Sequence, residues 1–326
     1  MVVASECHVE VVANKQIAPG YFSMRLAGPA CLTRFRPGQF LMLGWTDGQD
    51  PLLPRAMSIR RVREVQGSKF KVQVVEPQTR NPKPETWIAE VEILYKVCGK
   101  GTTLLAATRP GRSLRLLGPL GNGFEVPRKV TSAVLIAGGI GAPPIAALAQ
   151  ALAARRAARG TKMAVFLGGR SKTDLLCVPD FRQAGATVYV ATEDGSAGHK
   201  GLITEPLEEF LSTSHFAPNP KSPCSPLLKR GAGGIYACGP HPMLSAIAPI
   251  AERYNLPYQA SMEANMACGF GACMGCVVPV KEDDRGRAYR LVCKDGPVFD
   301  GHEVLWSNSS IPSVRSTDQT DQIDRT

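Results

Sequence analysis

"VTSAVLIAGGIGAPPIAALAQALAARR" occupies residues 130–156. Its uncharged part, 131–154, is long enough to cross a bilayer. Gly138, Gly139, Gly141 and the pair Pro143–Pro144 would break one continuous helix there. The stretch reads instead as a buried strand, a glycine turn and an alanine-rich helix, with proline near the first helical position where its missing N–H is harmless.

The same alternation continues downstream. "MAVFLGGR" (163–170), "TVYVATEDG" (187–195) and "GGIYACGP" (233–240) are short apolar runs that end in polar or glycine-rich loops. Helical patterns such as "LITEPLEEFL" (202–211) fall between them. Strands alternating with helices predict a parallel sheet covered on both faces. Upstream, residues 8–12, 20–26 and 70–75 carry β-branched or alternating side chains, with turns such as "RPGQF" (36–40) between them. They predict an antiparallel barrel ending near Phe124. The expected chain is multidomain, β plus α/β. A barrel spans 1–126, a nucleotide-binding α/β domain 127–258, a small cysteine domain 259–306 and a disordered polar tail 307–326. Residues 212–234, rich in Pro, Ser and Gly, read as a surface insertion.

The 326 residues are 44% hydrophobic and 20% charged, a soluble globular balance. No basic segment followed by an apolar run opens the sequence, so a soluble cytoplasmic protein with no membrane partner is expected. The net charge of +10 comes from scattered groups such as Arg60, Arg61 and Arg63. No aromatic-interleaved stripe accompanies them, which argues against a nucleic-acid partner.

Four of the ten cysteines lie late in the chain. "ACGFGACMGCVV" (267–278) holds Cys268, Cys273 and Cys276, and sixteen residues separate Cys276 from Cys293. C-x4-C-x2-C followed by a distant cysteine is the plant-type ligand spacing of a 2Fe–2S cluster. Gly269, Gly271 and Gly275 let the loop wrap closely, and amides freed from regular structure can face the sulfides. A structural zinc site is the alternative, but only Cys273 and Cys276 supply the C-x2-C pair it favours.

Weaker motifs suggest nucleotides. In "PRAMSI" (54–59), Arg55 could hold a pyrophosphate and Ser58 could meet a flavin ring nitrogen. In "LYKVCGKGTTLL" (94–105), Gly99, Gly101 and Thr102 form a turn able to offer amides to phosphate. The glycines Gly138, Gly139 and Gly141 would let a dinucleotide approach a helix N-terminus. "ACGPHPM" (237–243) ends another strand, so Cys238, Gly239 and Pro240 could border a nicotinamide, with a plain buried cysteine the alternative at Cys238. Glu193 and Asp194 would repel a 2′-phosphate and favour NAD. Nicotinamides move electron pairs and iron–sulfur clusters single electrons, so a converting flavin is expected between them.

"RAMSI", "LYKVCGKGT", "GPLGNGF", "IAGGIGAPP", "TEDGSAGHKG", "YACGPHPM", "MACGFGACMGCVV" and "LVCKDGPVF" follow one another from Arg55 to Phe299. In that order they resemble the electron transfer subunits of bacterial class 1B dihydroorotate dehydrogenases, within the ferredoxin–NADP reductase superfamily. The resemblance implies FAD held by Arg55, Ala56, Met57 and Ser58, by Leu94, Tyr95 and Lys96, and by Gly101 and Thr102. It implies 2Fe–2S on Cys268, Cys273, Cys276 and Cys293. It also implies a heterotetramer in which electrons pass from FMN in a separate catalytic subunit, through 2Fe–2S and FAD, to NAD⁺. Related subunits serve hydrogenases, bifurcating transhydrogenases and glutamate-synthase-like complexes, which are alternative settings. A zinc-stabilised binding protein is the non-redox alternative.

Overall fold

The computed structural model describes residues 5–46, 53–66, 87–127, 130–156, 161–213 and 233–306. The expected strand at 70–75, most of the 212–234 insertion and the 307–326 tail lie outside these residues.

Six antiparallel strands close a barrel in the order β1-β2-β5-β4-β3-β6. They are β1 (Ser5–Ala18), β2 (Tyr21–Pro29), β3 (Phe40–Trp45), β4 (Arg55–Gln66), β5 (Trp87–Lys96) and β6 (Ser113–Leu120). Along β4, Met57 and Ile59 turn into the barrel core beside Met24, Leu41 and Ile93. By strand alternation Ala56 and Ser58 take the outer face. Helix α1 (Lys100–Ala107) follows β5. The Asn14 amide caps its C-terminus, donating to the carbonyls of Leu105 at 2.8 Å and Thr108 at 3.0 Å.

The second layer begins with β7 (Ser132–Gly138), α2 (Ala142–Arg156), β8 (Lys162–Gly169), α3 (Val178–Gln183), β9 (Thr187–Thr192) and β10 (His199–Lys200). It continues with α4 (Thr204–Thr213), β11 (Ile235–Cys238), α5 (His241–Arg253) and β12 (Tyr258–Ser261). The strands order as β10-β9-β8-β7-β11-β12-β15, with β15 (Val298–Asp300) antiparallel on β12. Residues Ala133 to Ala137 of β7 are fully buried, as a central strand covered on both faces requires. Ile145, Leu148 and Phe181 from α2 and α3 cover one face; Leu207, Leu244 and Ile247 from α4 and α5 cover the other. The chain leaves β7 toward β8 on one side and returns at β11 on the other. That reversal is the topological switch point where open α/β sheets bind ligands.

The cysteine segment carries only a small ladder, β13 (Val277–Pro279) with β14 (Tyr289–Leu291). Its core residues Cys276, Val278, Leu291 and Val292 merge with those of the sheet and with Phe40, Met42 and Leu120 of the barrel. The sequence division at 258/259 falls where β12 starts, and β15 returns to the same sheet. No helix among the described residues is long and apolar enough to cross a membrane.

Candidate functional site

Three corners carry the candidate residues. The first lies between β4 and α1. A Cβ built on Gly101 would fall into the Arg55 guanidinium, 2.6 Å from its Cζ. Arg55 therefore lies flat over the first turn of α1, whose amides have no helical carbonyl to reach. The Thr102 hydroxyl accepts from the amides of Cys98 at 2.9 Å and Gly99 at 3.2 Å and donates to the Gly99 carbonyl, fixing that turn. A guanidinium above a helix N-terminus is chemically able to hold a pyrophosphate. Ser58 stands opposite Phe40 on the outer face of β4, half-buried.

Other flavin candidates point elsewhere. Met57 is 6% exposed inside the barrel, so its backbone is what faces outward. The Tyr95 ring stacks on Phe22 at 5.7 Å, and its hydroxyl donates to Asn14 Oδ1 at 3.0 Å. Leu94 packs toward α2 among Tyr21, Phe124 and Ala142. Lys96 is exposed, its ammonium 5.1 Å from the Tyr21 ring centre. Resemblance located these positions along the chain, but strand alternation decides which side chains turn inward.

The second corner is the switch point. A Cβ on Gly141 would come within 2.7 Å of the Gly239 amide, and one on Gly138 within 2.9 Å of Pro240 Cδ. These two glycines let the β7 and β11 loops touch. Gly139 differs: its φ is +51°, and a Cβ there would meet nothing within 4 Å. The space above it is open for a ligand. Cys238 is 4% exposed and bonds to Ser261, and burial pushes its thiol well above the usual range. Glu193 and Asp194 are exposed after β9, two strands from β7. The Asp194 carboxylate turns back to accept from the Ser196 amide at 2.8 Å, so Glu193 is left as the outward-facing acid.

Glu263, which no motif singled out, follows β12 and faces Cys238. Its side chain is exposed to solvent, and protein packed near the carboxyl still desolvates it in part. That desolvation raises its carboxyl above the ordinary glutamate range. The signal in sequence was slight: an acid just before a cysteine loop.

The third corner is the cysteine loop. Cys276 and Cys293 are buried, Cys268 is half-buried and Cys273 exposed. Burial works against ionisation of Cys268. The amides of Phe270, Cys273 and Ala272 and the Cys273 thiol outweigh it and bring Cys268 down to about 6. Burial and the neighbouring Cys276 push Cys293 up to about 12, and the Cys293 amide donates to Cys276 Sγ at 3.4 Å. Cys268 thus lies by Cys273 and Cys276 by Cys293, and Cys268 also acts on Cys293. Among the described residues no three His, Cys, Asp or Glu side chains converge as a single ion would need. A two-iron cluster asks for something else, two thiolates at each iron, and paired thiols facing amide donors suit it.

The first and third corners are joined. Gly269, at φ +82°, packs so tightly that a Cβ would lie 2.9 Å from Met42 Sδ and 3.2 Å from Leu120 Cδ1. Met42 pairs with Ala56, and Phe40 pairs with both Ser58 and Leu120. One strand, β3, therefore separates the cysteine loop from the outer residues of β4. With the loop packed on β3 and β4 one strand spacing of ~5 Å beyond, the two lie on the order of 10 Å apart. Asn122 stitches the same junction, donating to the carbonyls of Lys294 at 3.3 Å and Asp295 at 3.0 Å.

Comparison with known proteins agrees with this layout. Residues 263–305 match the family described as the iron–sulfur cluster binding domain of dihydroorotate dehydrogenase B. Residues 135–248 match the oxidoreductase NAD-binding domain. A structure from a study of flavin-based electron bifurcation, that of an NADH-dependent reduced ferredoxin-NADP oxidoreductase, superposes with a TM-score of 0.68 at 25% identity. It covers 91% of this chain and 90% of that one. The ferredoxin reductase of carbazole 1,9a-dioxygenase shares the fold at a TM-score of 0.55 and 23% identity, over 78% of this chain and 67% of that one. Barrel, switch-point sheet and C-terminal cysteine loop define a ferredoxin–NADP reductase-like oxidoreductase subunit. Among curated proteins, one from Bacillus caldolyticus is 35% identical, covering 90% of this chain and 96% of the relative. One from Desulforamulus reducens is 31% identical, covering 91% and 97%. Both are named dihydroorotate dehydrogenase B (NAD(+)), electron transfer subunit, and the chain belongs to that family.

Proposed function

We propose that this chain is the cytoplasmic electron transfer subunit of a dihydroorotate dehydrogenase. It carries electrons from the FMN of a separate catalytic subunit, through a 2Fe–2S cluster and FAD, to NAD⁺ in pyrimidine biosynthesis. Its working parts are the barrel (1–126), the nucleotide domain (127–258) and the cluster region (259–306). The packing of Gly269 on Met42 and Leu120, one strand from Ser58, supports this reading above all else.

Bound flavin converts the electron pair of a nicotinamide into the single electrons an iron–sulfur centre handles. Arg55, Gly101 and Thr102 hold its pyrophosphate. The outer residues Ala56 and Ser58 and the backbone of Met57, Leu94, Tyr95 and Lys96 hold its ring. Gly138, Gly139 and Gly141 receive the NAD pyrophosphate at the start of α2. Cys238, Gly239 and Pro240 border the nicotinamide, and Glu193 disfavours a 2′-phosphate. Glu263 lies near Cys238, and its raised carboxyl is a group that could give or take a proton there. Cys268, Cys273, Cys276 and Cys293 are the cluster ligands. Phe270 and Met274, exposed on the loop that carries Cys273, give it apolar surface, a docking face for the catalytic subunit in a heterotetramer.

The test is reconstitution with the FMN-bearing catalytic subunit from the same source. Dihydroorotate-dependent NAD⁺ reduction by the pair, absent from either chain alone, is the expected result. A chain that takes up FAD and iron and oxidises NADH, yet never couples to that partner, belongs instead to another NAD(P)H-linked complex. The likeness to the bifurcating oxidoreductase favours this as the second reading.

A further inference from the structure

Two consecutive arginines reach one buried carboxylate. Asp180 on α3 is 3% exposed. It accepts from Arg60 at 2.5 Å, from Arg61 at 2.6 Å and from Gln150 of α2 at 3.3 Å. Arg60 also pairs with Glu92 on β5. Neighbours in an unbroken strand leave on opposite faces. Here the β4–β5 ladder slips between Ile59 and Arg61, leaving Arg60 as an extra residue. Such a bulge re-aims side chains, and it lets both guanidinium groups face α3. Arg60 Nε is buried without an acceptor, so the cluster is not arranged for greatest stability. Buried ion clusters add little stability over apolar packing; a unique geometry is what they can supply.

The placement gives that geometry a use. The bulge follows Ser58 on the same strand, and α2, which supplies Gln150, opens at the Gly138–Gly141 corner. We infer that Asp180 is a positioning residue for hydride transfer, clamping the β4 bulge to α2 and α3 and so setting the gap between the flavin strand and the nicotinamide corner. This role rests on the FAD and NAD assignment proposed above. In the step itself a hydride, two electrons with one proton, leaves the nicotinamide of NADH for the flavin, giving NAD⁺ and two-electron-reduced flavin. Asp180 makes and breaks no bond. Reacting atoms must sit about 3–3.5 Å apart, and a misplacement of about 1 Å can cost ~100-fold in rate.

The experiment uses the full chain with its flavin bound, mixed anaerobically with NADH. Asp180→Asn should lower the limiting rate of flavin bleaching by about 10–100-fold. Flavin content and the half-saturating NADH concentration should change far less. The long-wavelength absorbance of nicotinamide stacked on flavin should weaken, and amide exchange should rise in β4 beyond Ile59 and in α3. Should Asp180→Asn fail to fold, Arg61→Gln, which leaves the Arg60–Asp180 and Arg60–Glu92 pairs intact, should show the same pattern to a smaller degree. An unchanged limiting rate in the folded variant, or a loss that merely tracks flavin content, overturns the positioning role. A wild-type chain that binds no flavin, or whose flavin NADH does not bleach, defeats the functional proposal instead.

Discussion

Gly101→Ala separates binding from folding at the β4–α1 corner. Alanine is favoured over glycine inside a helix by about 1 kcal/mol, and Gly101 sits in the first turn of α1. The added methyl would lie 2.6 Å from Arg55 Cζ and Nη2, so the guanidinium must leave. It is the end of a flexible side chain, and moving it costs the fold little. A charge-assisted hydrogen bond is worth about 1.5–3 kcal/mol, so losing it from the pyrophosphate should weaken FAD about 10–150-fold. The assay is a FAD titration of flavin-stripped protein, alongside a thermal melt of the same apo form. Affinity should fall while apo stability holds or rises slightly. Arg55→Met should have a similar effect, and the double variant little more than either alone, because both act through one guanidinium. Unchanged affinity in Gly101→Ala, or full additivity in the double variant, would refute the cradle.

Cys276→Ser should remove the visible iron–sulfur absorbance and most of the iron, since an alcohol replaces thiolate poorly; full iron content would remove Cys276 from the ligand set. Ser58→Ala deletes one neutral hydrogen bond, so flavin affinity should fall no more than about 10-fold. Flavin reduction by NADH should slow by a larger factor, and an unaltered rate would move Ser58 away from the ring. Glu263 carries a raised carboxyl in the folded state, so its contribution to stability is present at low pH and is lost as pH climbs from the ordinary value of 4.5 through the raised one. Denaturant melts of the flavin-free protein should show Glu263→Gln gaining on the wild type as pH rises above the ordinary carboxyl value; parallel pH profiles would contradict the raised carboxyl.

What could be read in advance was local. Residues 133–137 are uniformly apolar because both faces of β7 are covered, and the glycines and prolines after them mark the turn and helix start. The cysteine spacing is a local pattern that shows without any fold. Long-range features left no trace. Arg60 and Asp180 meet across 120 residues, and their pairing depends on a bulge that no motif encodes. β12 and β15 are too short to show a strand period, so the cysteine region looked separate while it shares the sheet's core. Met57, Leu94 and Tyr95 show the same limit: a motif places them on β4 and β5, and only burial decides that their side chains pack inside the protein.

The central claim is that the cysteine cluster exchanges electrons with NADH only by way of flavin on β4. Anaerobic NADH added to the intact protein, followed by absorbance and electron paramagnetic resonance, tests it most directly. Flavin should bleach and the reduced-cluster signal should appear, while protein stripped of flavin but retaining its iron should show no cluster reduction. A cluster that NADH reduces equally fast without flavin, or one that stays oxidised beside a bleached flavin, would contradict the account.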